Sequence, residues 1–122
     1  MTAGDTFLVP DSDDHLWVVI SDPNVDPSRV VIVCFLSHQP HYDQACVLEP
    51  GDHPFIKHPT CVNYPDARIE SAALLERLKG DGRLKPKTPL SSGILDRIRS
   101  AAEDSEIPTE GYDILRRQGY VP

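Results

Sequence analysis

The first half of the chain is a series of short apolar runs separated by turn-forming residues, and this spacing predicts β-strands. The runs are rich in β-branched and aromatic side chains and end at Pro, Gly or Asp, as strands of small antiparallel sheets do. We expect strands at residues 6–10, 15–21, 29–36 and 44–49, a polar turn at 11–14, and a bent fifth strand at 60–63 and 67–69. The run at 29–36 has no alternation, which predicts burial on both faces or a barrel wall.

The second half changes to helical spacing of its apolar residues. The periodic segments lie at residues 72–79, 89–101 and 110–119. Each follows a residue that can cap a helix N-terminus, namely Ser71, Thr88 and Thr109. Gly80 suits the position just past the end of the first helix. Residues 81–87 fit a loop or a short strand equally well.

Length and charge narrow the classes of protein to consider. The 122 residues predict a single domain, with a strand-rich part at about 4–70 and a helical part at about 71–119. The net charge is −7, and residues 1–67 carry ten acidic against two basic side chains. Phosphate contacts need Lys and Arg, so this acidity opposes nucleic-acid binding and suits a basic protein partner instead.

Targeting signals are not evident in the sequence. No apolar run approaches the roughly 20 residues that span a bilayer, and the first residues have neither a basic n-region nor a long apolar stretch. We therefore expect a cytoplasmic protein without a membrane partner. An odd number of cysteines in such a chain predicts free thiols.

Histidine and cysteine are concentrated in one stretch, residues 34–61. Its members are Cys34, His38, His41, Cys46, His53, His58 and Cys61. Zinc needs four such ligands, but no paired Cys-x-x-Cys or His-x-x-x-His spacing is present, and the cysteines fall inside predicted strands. We predict no metal, and zinc binding by this stretch remains the alternative.

Two histidines flank an apolar dipeptide in the loop at residues 53–59. His53 and His58 are candidates for a general acid and base near neutral pH. The alternative is a rigid loop that plugs Phe55 and Ile56 into the core. Ser37 and its neighbour His38 do not predict a serine hydrolase, because adjacent strand residues face opposite ways and no nucleophile elbow surrounds them.

Several segments, taken in order, resemble the PemK/MazF-like toxins, a family of small SH3-like barrels that act as dimers and cut RNA. The resemblance spans residues 4 to about 102. Its segments are GDTFLV at 4–9, WVVISD at 17–22, RVVIVCFLS at 29–37, TCVNYPDARI at 60–69, LERLKGDGRL at 75–84 and ILDRIRSAA at 94–102. It implies a β-rich α+β fold, a small SH3-like antiparallel barrel with C-terminal helices.

The same resemblance implies a sequence-selective, metal-independent endoribonuclease toxin of a type II toxin–antitoxin system. It needs no cofactor, and its partners are single-stranded RNA, an antitoxin protein and a second copy of the chain. His15 stands where the family has an Arg, Ser37 where it has a Thr, and Arg68 where it has an Arg. His15 would act as base or acid, Ser37 as a hydrogen-bond donor to phosphate and Arg68 as an electrostatic helper, with His53 and His58 as further candidates. The alternative function is a catalytically degenerate barrel that binds a protein partner.

Overall fold

The computed structural model describes residues 1–10 and 14–122 and contains one sheet with helices on both faces. Of the predicted turn at 11–14, only Asp14 lies among the described residues. The strands are β1 (Thr6–Leu8), β2 (Trp17–Val19), β3 (Val30–Ser37), β4 (Val47–Leu48), β5 (Thr60–Glu70) and β6 (Lys85–Lys87). The helices are α1 (Ala72–Gly80), α2 (Ser92–Ala101), which continues into a 3₁₀ turn at Ala102–Asp104, and α3 (Thr109–Arg117).

All strand pairs are antiparallel, in the order β4-β5-β3-β2-β1-β6. The predicted α+β class, with strands first and helices at the C-terminal end, is confirmed. The predicted closed SH3-like barrel is wrong, because the sheet stays open between β4 and β6. Both edge strands have only two or three residues, and helices cover both faces, so the sheet does not need to curl onto itself to bury its apolar side chains.

The central strand β3 is buried on both faces, as its unbroken apolar run predicts. Val31, Val33 and Phe35 pack in the core formed with α2 and α3. Val30, Ile32 and Cys34 lie in the opposite core, which contains Trp17 and Leu75 of α1. Burial of each such aliphatic side chain contributes about 1.5–3 kcal/mol, so this strand anchors both layers of the fold.

The helix boundaries differ from the predictions wherever a distant contact holds the backbone extended. Ser71 caps α1 as expected. The second helix begins at Ser92 and is capped by Ser91, whereas the prediction placed the cap at Thr88 and the start at residue 89. The Thr88 carbonyl accepts a hydrogen bond from Thr6 Oγ1 at 2.6 Å, which keeps this segment beside β1.

The first helix ends one residue later than predicted, and the last helix ends two residues earlier. Gly80 is the last residue of α1, and the left-handed conformation falls to Gly82, at φ +74°. Thr109 is the first residue of α3 and not its cap, and Gly119, at φ +85°, follows the helix end. Lys85–Lys87 form a short strand, which resolves the ambiguity at 81–87.

The C-terminal residues beyond the family resemblance are part of the same core. Ile114 and Leu115 of α3 are buried against the sheet. The side chain of Arg99 donates to the Ile20 carbonyl at 2.6 Å and lies 3.6 Å over the ring of Tyr120. These contacts show that residues 103–122 close one face of the sheet.

Candidate functional site

One end of the sheet forms a cleft of about 310 Å³, and it contains three of the five predicted site residues. Its polar lining consists of Asp14, His15, Ser37, Lys57, His58 and Thr60. In an antiparallel sheet, the start of one strand lies beside the end of its neighbour. His15 precedes β2, Ser37 ends β3 and Thr60 begins β5, so the topology brings these residues together.

Ser37 and His58 contact each other inside the cleft. Ser37 Oγ lies 3.3 Å from His58 Nε2, within hydrogen-bond distance. Both side chains and that of His15 are exposed, so a ligand can reach all three. The imidazole beside the Ser37 hydroxyl is therefore that of His58. The sequence neighbour His38 instead donates to Gln44 Oε1 at 2.7 Å.

His53 stabilises the loop and does not line the cleft. It is 4% exposed. Its Nε2 donates to the Thr88 carbonyl at 2.5 Å, and its Nδ1 accepts from the Phe55 backbone N–H at 3.0 Å. Since both ring nitrogens have partners, the side chain holds the loop that carries His58 against the segment before α2.

The two apolar residues of the same loop, Phe55 and Ile56, differ in exposure. Ile56 is buried, as the rigid-loop interpretation predicts, but Phe55 is 44% exposed and lines the cleft. An exposed aromatic ring beside polar groups is the arrangement on which nucleic-acid bases stack. The sequence analysis missed Phe55 as a residue of the cleft, because its rigid-loop alternative placed both apolar residues of this loop in the core.

Lys57 is the second residue that the sequence analysis missed. Its exposed ammonium group lines the cleft beside His58. Of the acidic residues that the structure describes, Asp14 is the one that lines the cleft. The formal charges of Lys57 and Asp14 therefore cancel within the cleft, although residues 1–67 as a whole are strongly acidic.

Arg68 lies outside the cleft, in an adjoining side cavity of about 450 Å³. Its guanidinium carbon is 5.7 Å from the centroid of the Trp17 ring. Trp17 itself is buried. His15 and Leu36 line both the cleft and the side cavity, so the two spaces are contiguous.

Residues 77–87, which include the end of α1 and the edge strand β6, form a basic segment. Its five side chains are exposed, and none is in an ion pair with a described residue. They are Arg77, Lys79, Arg83, Lys85 and Lys87. Lys85 is paired with Leu8, one residue beyond the Phe7–Trp17 pair in the direction of His15. Unpaired cations therefore begin at the sheet end that carries the cleft.

The structure also bears on the cysteines, on metal binding and on membrane insertion. Cys34, Cys46 and Cys61 form no disulfide among the described residues, as predicted, and all three are buried. Within residues 1–10 and 14–122, no group of three His, Cys, Asp or Glu side chains is placed to hold a metal ion. None of the helices in this part of the chain has the length and apolar character needed to cross a bilayer.

The comparisons with known proteins give no match. No protein-family model matches the chain, and no curated protein and no solved structure matches it either. The similarity of residues 4–102 to the PemK/MazF-like toxins therefore stays a prediction, and any function has to be argued from the cleft itself.

Proposed function

We propose that this protein is a metal-independent endoribonuclease that cleaves single-stranded RNA by transphosphorylation. The observation that carries the proposal is the grouping of His15, Ser37, Lys57 and His58 in one accessible cleft. RNA contains its own nucleophile, the ribose 2′-hydroxyl, so the enzyme needs only a base, an acid and groups that stabilise charge on the phosphate.

The cleft residues supply each of these groups. One imidazole, from His15 or His58, removes the proton of the 2′-hydroxyl as its oxygen bonds to the adjacent phosphorus. The other imidazole gives a proton to the departing 5′-oxygen as its bond to phosphorus breaks. Lys57 and the Ser37 hydroxyl stabilise the negative charge that develops on the phosphate oxygens. The products are a 2′,3′-cyclic phosphate and a 5′-hydroxyl, and the protons balance between the two histidines.

A hydrolase with Ser37 as nucleophile is less well supported. In Ser-His enzymes a third group, usually a carboxylate, orients the imidazole. In the part of the chain that the structure describes, no carboxylate bonds to His58, whose contact is with Ser37 Oγ. Ser37 is therefore assigned to binding phosphate and not to covalent catalysis.

The biological setting that fits this activity is a toxin of a toxin–antitoxin pair. Uncontrolled cleavage of single-stranded RNA inside a cell would stop growth, and a partner that covers the cleft would prevent it. Induced expression of the wild-type chain should then arrest growth, and expression of the double variant His15→Ala/His58→Ala should not. Equal growth with both chains would contradict the toxin role without contradicting the chemistry.

The direct test is cleavage of a fluorescent single-stranded RNA by the purified protein in EDTA. General acid–base catalysis by one side chain contributes 10²–10⁴-fold, so His15→Ala and His58→Ala should each lower the cleavage rate at least about 100-fold. His38→Ala is the matched control, since His38 is exposed but does not line the cleft. Equal cleavage by all four proteins, or none by the wild type, would refute the proposal.

A protein-binding module without turnover is the second candidate, and the excess of acidic residues in the first half of the chain favours it. The same preparations distinguish the two functions. If the cleft only binds a basic partner, a Lys- and Arg-rich peptide should bind with an affinity that falls with added salt, and RNA should be left intact.

A further inference from the structure

We propose that the side cavity next to the cleft binds a nucleotide that flanks the cleaved bond and selects a base with hydrogen-bond donors on its pairing edge, guanine in particular. This inference rests on the proposed ribonuclease function. In this proposal the cleft holds the reacting phosphate, and the RNA strand continues from the cleft into the contiguous side cavity. His15 and Leu36 border both spaces, so the adjoining nucleotide reaches the side cavity directly.

An irregularity in β5 builds this cavity. Between the pairs Cys34–Asn63 and Ile32–Arg68, β3 advances by two residues and β5 by five. Side chains alternate between faces along a regular strand, so positions 63 and 68 would face opposite ways without the irregularity. The extra residues put Asn63 and Arg68 on the same face. Bulges of this kind often re-aim side chains next to functional sites.

Arg68 is suited to hold the phosphate of the flanking nucleotide. It is exposed, it is in no ion pair with a described residue, and its guanidinium lies over the Trp17 ring. Stacking on an indole fixes the position of the guanidinium and leaves its edge N–H groups for a ligand. Arginine is the residue that best matches the paired oxygens of a phosphate.

Asp66 is suited to read the base. Its Oδ2 accepts a hydrogen bond from Asn63 Nδ2 at 2.9 Å, which fixes the carboxylate at the wall of the cavity while leaving its other lone pairs open. A carboxylate only accepts hydrogen bonds, and guanine offers two adjacent donors, N1–H and N2–H, on its pairing edge. Uracil offers one donor between two carbonyl oxygens that would repel the carboxylate.

The remaining wall is aromatic. Trp17 lines the cavity and is 7% exposed. Its Nε1–H is buried and out of reach of a ligand in the cavity, so Trp17 contributes apolar surface and not a hydrogen bond. Tyr42 lines the same space, with its ring centroid 4.4 Å from that of His41. It offers a surface on which the base stacks.

The experiment uses short single-stranded RNAs that differ at one position next to the cleavage site, with kcat/KM measured for each base. The wild type should prefer guanosine at one flanking position. Asp66→Asn should lower kcat/KM for that RNA at least about tenfold while changing the uridine RNA much less, since an accepting group is replaced by a mixed one. Arg68→Gln should raise KM for all the RNAs with kcat little changed. Arg116→Gln is the control, because Arg116 contacts Asp113 on α3 and lines neither the cleft nor the side cavity.

Binding measurements separate failure of this inference from failure of the ribonuclease proposal. The uncleaving variant His15→Ala/His58→Ala is titrated with fluorescent tetranucleotides in an anisotropy assay, with and without Asp66→Asn. Cleavage with an unchanged base preference in Asp66→Asn would overturn the side-cavity assignment and leave the ribonuclease standing. Guanosine-selective binding that depends on Asp66, with no cleavage by the wild type, would support the side-cavity assignment and overturn the ribonuclease proposal. Absence of both would overturn both proposals.

Discussion

Ser37 Oγ lies 3.3 Å from Nε2 of His58, a residue 21 positions further along the chain. The two residues meet because β3 ends where β5 begins, and the loop before β5 folds back over that end of the sheet. Their contact distinguishes two chemistries, since a serine next to a histidine is either a nucleophile or a phosphate ligand.

Replacement of Ser37 tests which of the two applies. If the hydroxyl only donates a hydrogen bond to phosphate, Ser37→Ala should lower kcat/KM by about 10- to 100-fold, corresponding to loss of one charge-assisted hydrogen bond. An RNA with a 2′-deoxy substitution at the cleavage site should not be cut, and the product of normal RNA should carry a 2′,3′-cyclic phosphate. Complete loss of cleavage in Ser37→Ala, with the deoxy RNA still cut by the wild type, would assign the nucleophile to Ser37.

His53 should matter for stability rather than for catalysis. His53→Ala leaves the Phe55 N–H without its partner and removes one of the two donors to the Thr88 carbonyl, which keeps its bond from Thr6 Oγ1. Loss of these bonds and of a buried side chain should lower the free energy of unfolding by about 1–3 kcal/mol in urea titrations. The exposed His41→Ala is the control and should change it by less than about 0.5 kcal/mol. A similar small change in both variants would show that His53 does not anchor the loop.

Tyr64 should make the fold sensitive to alkali. Its ring is fully buried, its hydroxyl donates to the Ile98 carbonyl at 2.6 Å, and burial raises the pKa of this phenol well above its ordinary value near 10. Above pH 10 the unfolded chain then binds fewer protons than the native chain, so the free energy of unfolding decreases as pH rises. Below pH 10 the phenol is neutral in both states and stability is insensitive to it.

Two measurements check this expectation. In a titration of tyrosinate absorbance, one of the four tyrosines should ionise only together with unfolding. Tyr64→Phe should be less stable at pH 7 by about 1 kcal/mol, the net value of one hydrogen bond. It should also lose stability less steeply between pH 10 and 11. Reversible ionisation of all tyrosines in the folded protein would contradict the assignment.

The basic segment at residues 77–87 should contribute to RNA affinity through charge alone. Lys85→Glu and Lys87→Glu together should weaken binding of single-stranded RNA. Binding should also become less dependent on salt, because each phosphate contact adds about 0.7 to the slope of log K against log salt. The oppositely placed pair Arg116→Glu and Arg117→Glu is the control, since both arginines already contact Asp113. Equal losses for the two pairs would indicate an effect of net charge only.

The strands and the two-sided burial of β3 could be predicted from sequence because they follow from local patterns. That the sheet stays open could not be predicted. It depends on the small number of residues that pair at β4 and β6 and on the helices that cover both faces. The start of α2 could not be predicted either, because the bond from Thr6 to the Thr88 carbonyl joins residues 82 positions apart and overrides the local capping preference of Thr88.

Part of the candidate site was also accessible from the sequence. His15, Ser37 and His58 meet for a topological reason, namely that the antiparallel order brings their strand ends together. The different roles of His53 and His58 could not be separated, because both flank prolines in the same loop. The contacts that distinguish them come from distant residues, namely the Thr88 carbonyl for His53 and Ser37 for His58. The position of Arg68 beside the cleft and not in it follows from the irregularity in β5, for which the sequence provides no clear signal apart from Pro65.

The sheet edges also determine how this protein behaves at high concentration. Pro86 at the centre of β6 has no N–H group and is flanked by Lys85 and Lys87, while β4 presents only two residues. Intermolecular strand addition, the first step of fibrous aggregation, needs a longer row of donors and acceptors and is opposed by lysine and proline. The protein should therefore resist gelation and seeded fibril growth. If copies of the chain form the homodimer that the family resemblance implies, they must associate through side-chain surfaces and not by merging their sheets.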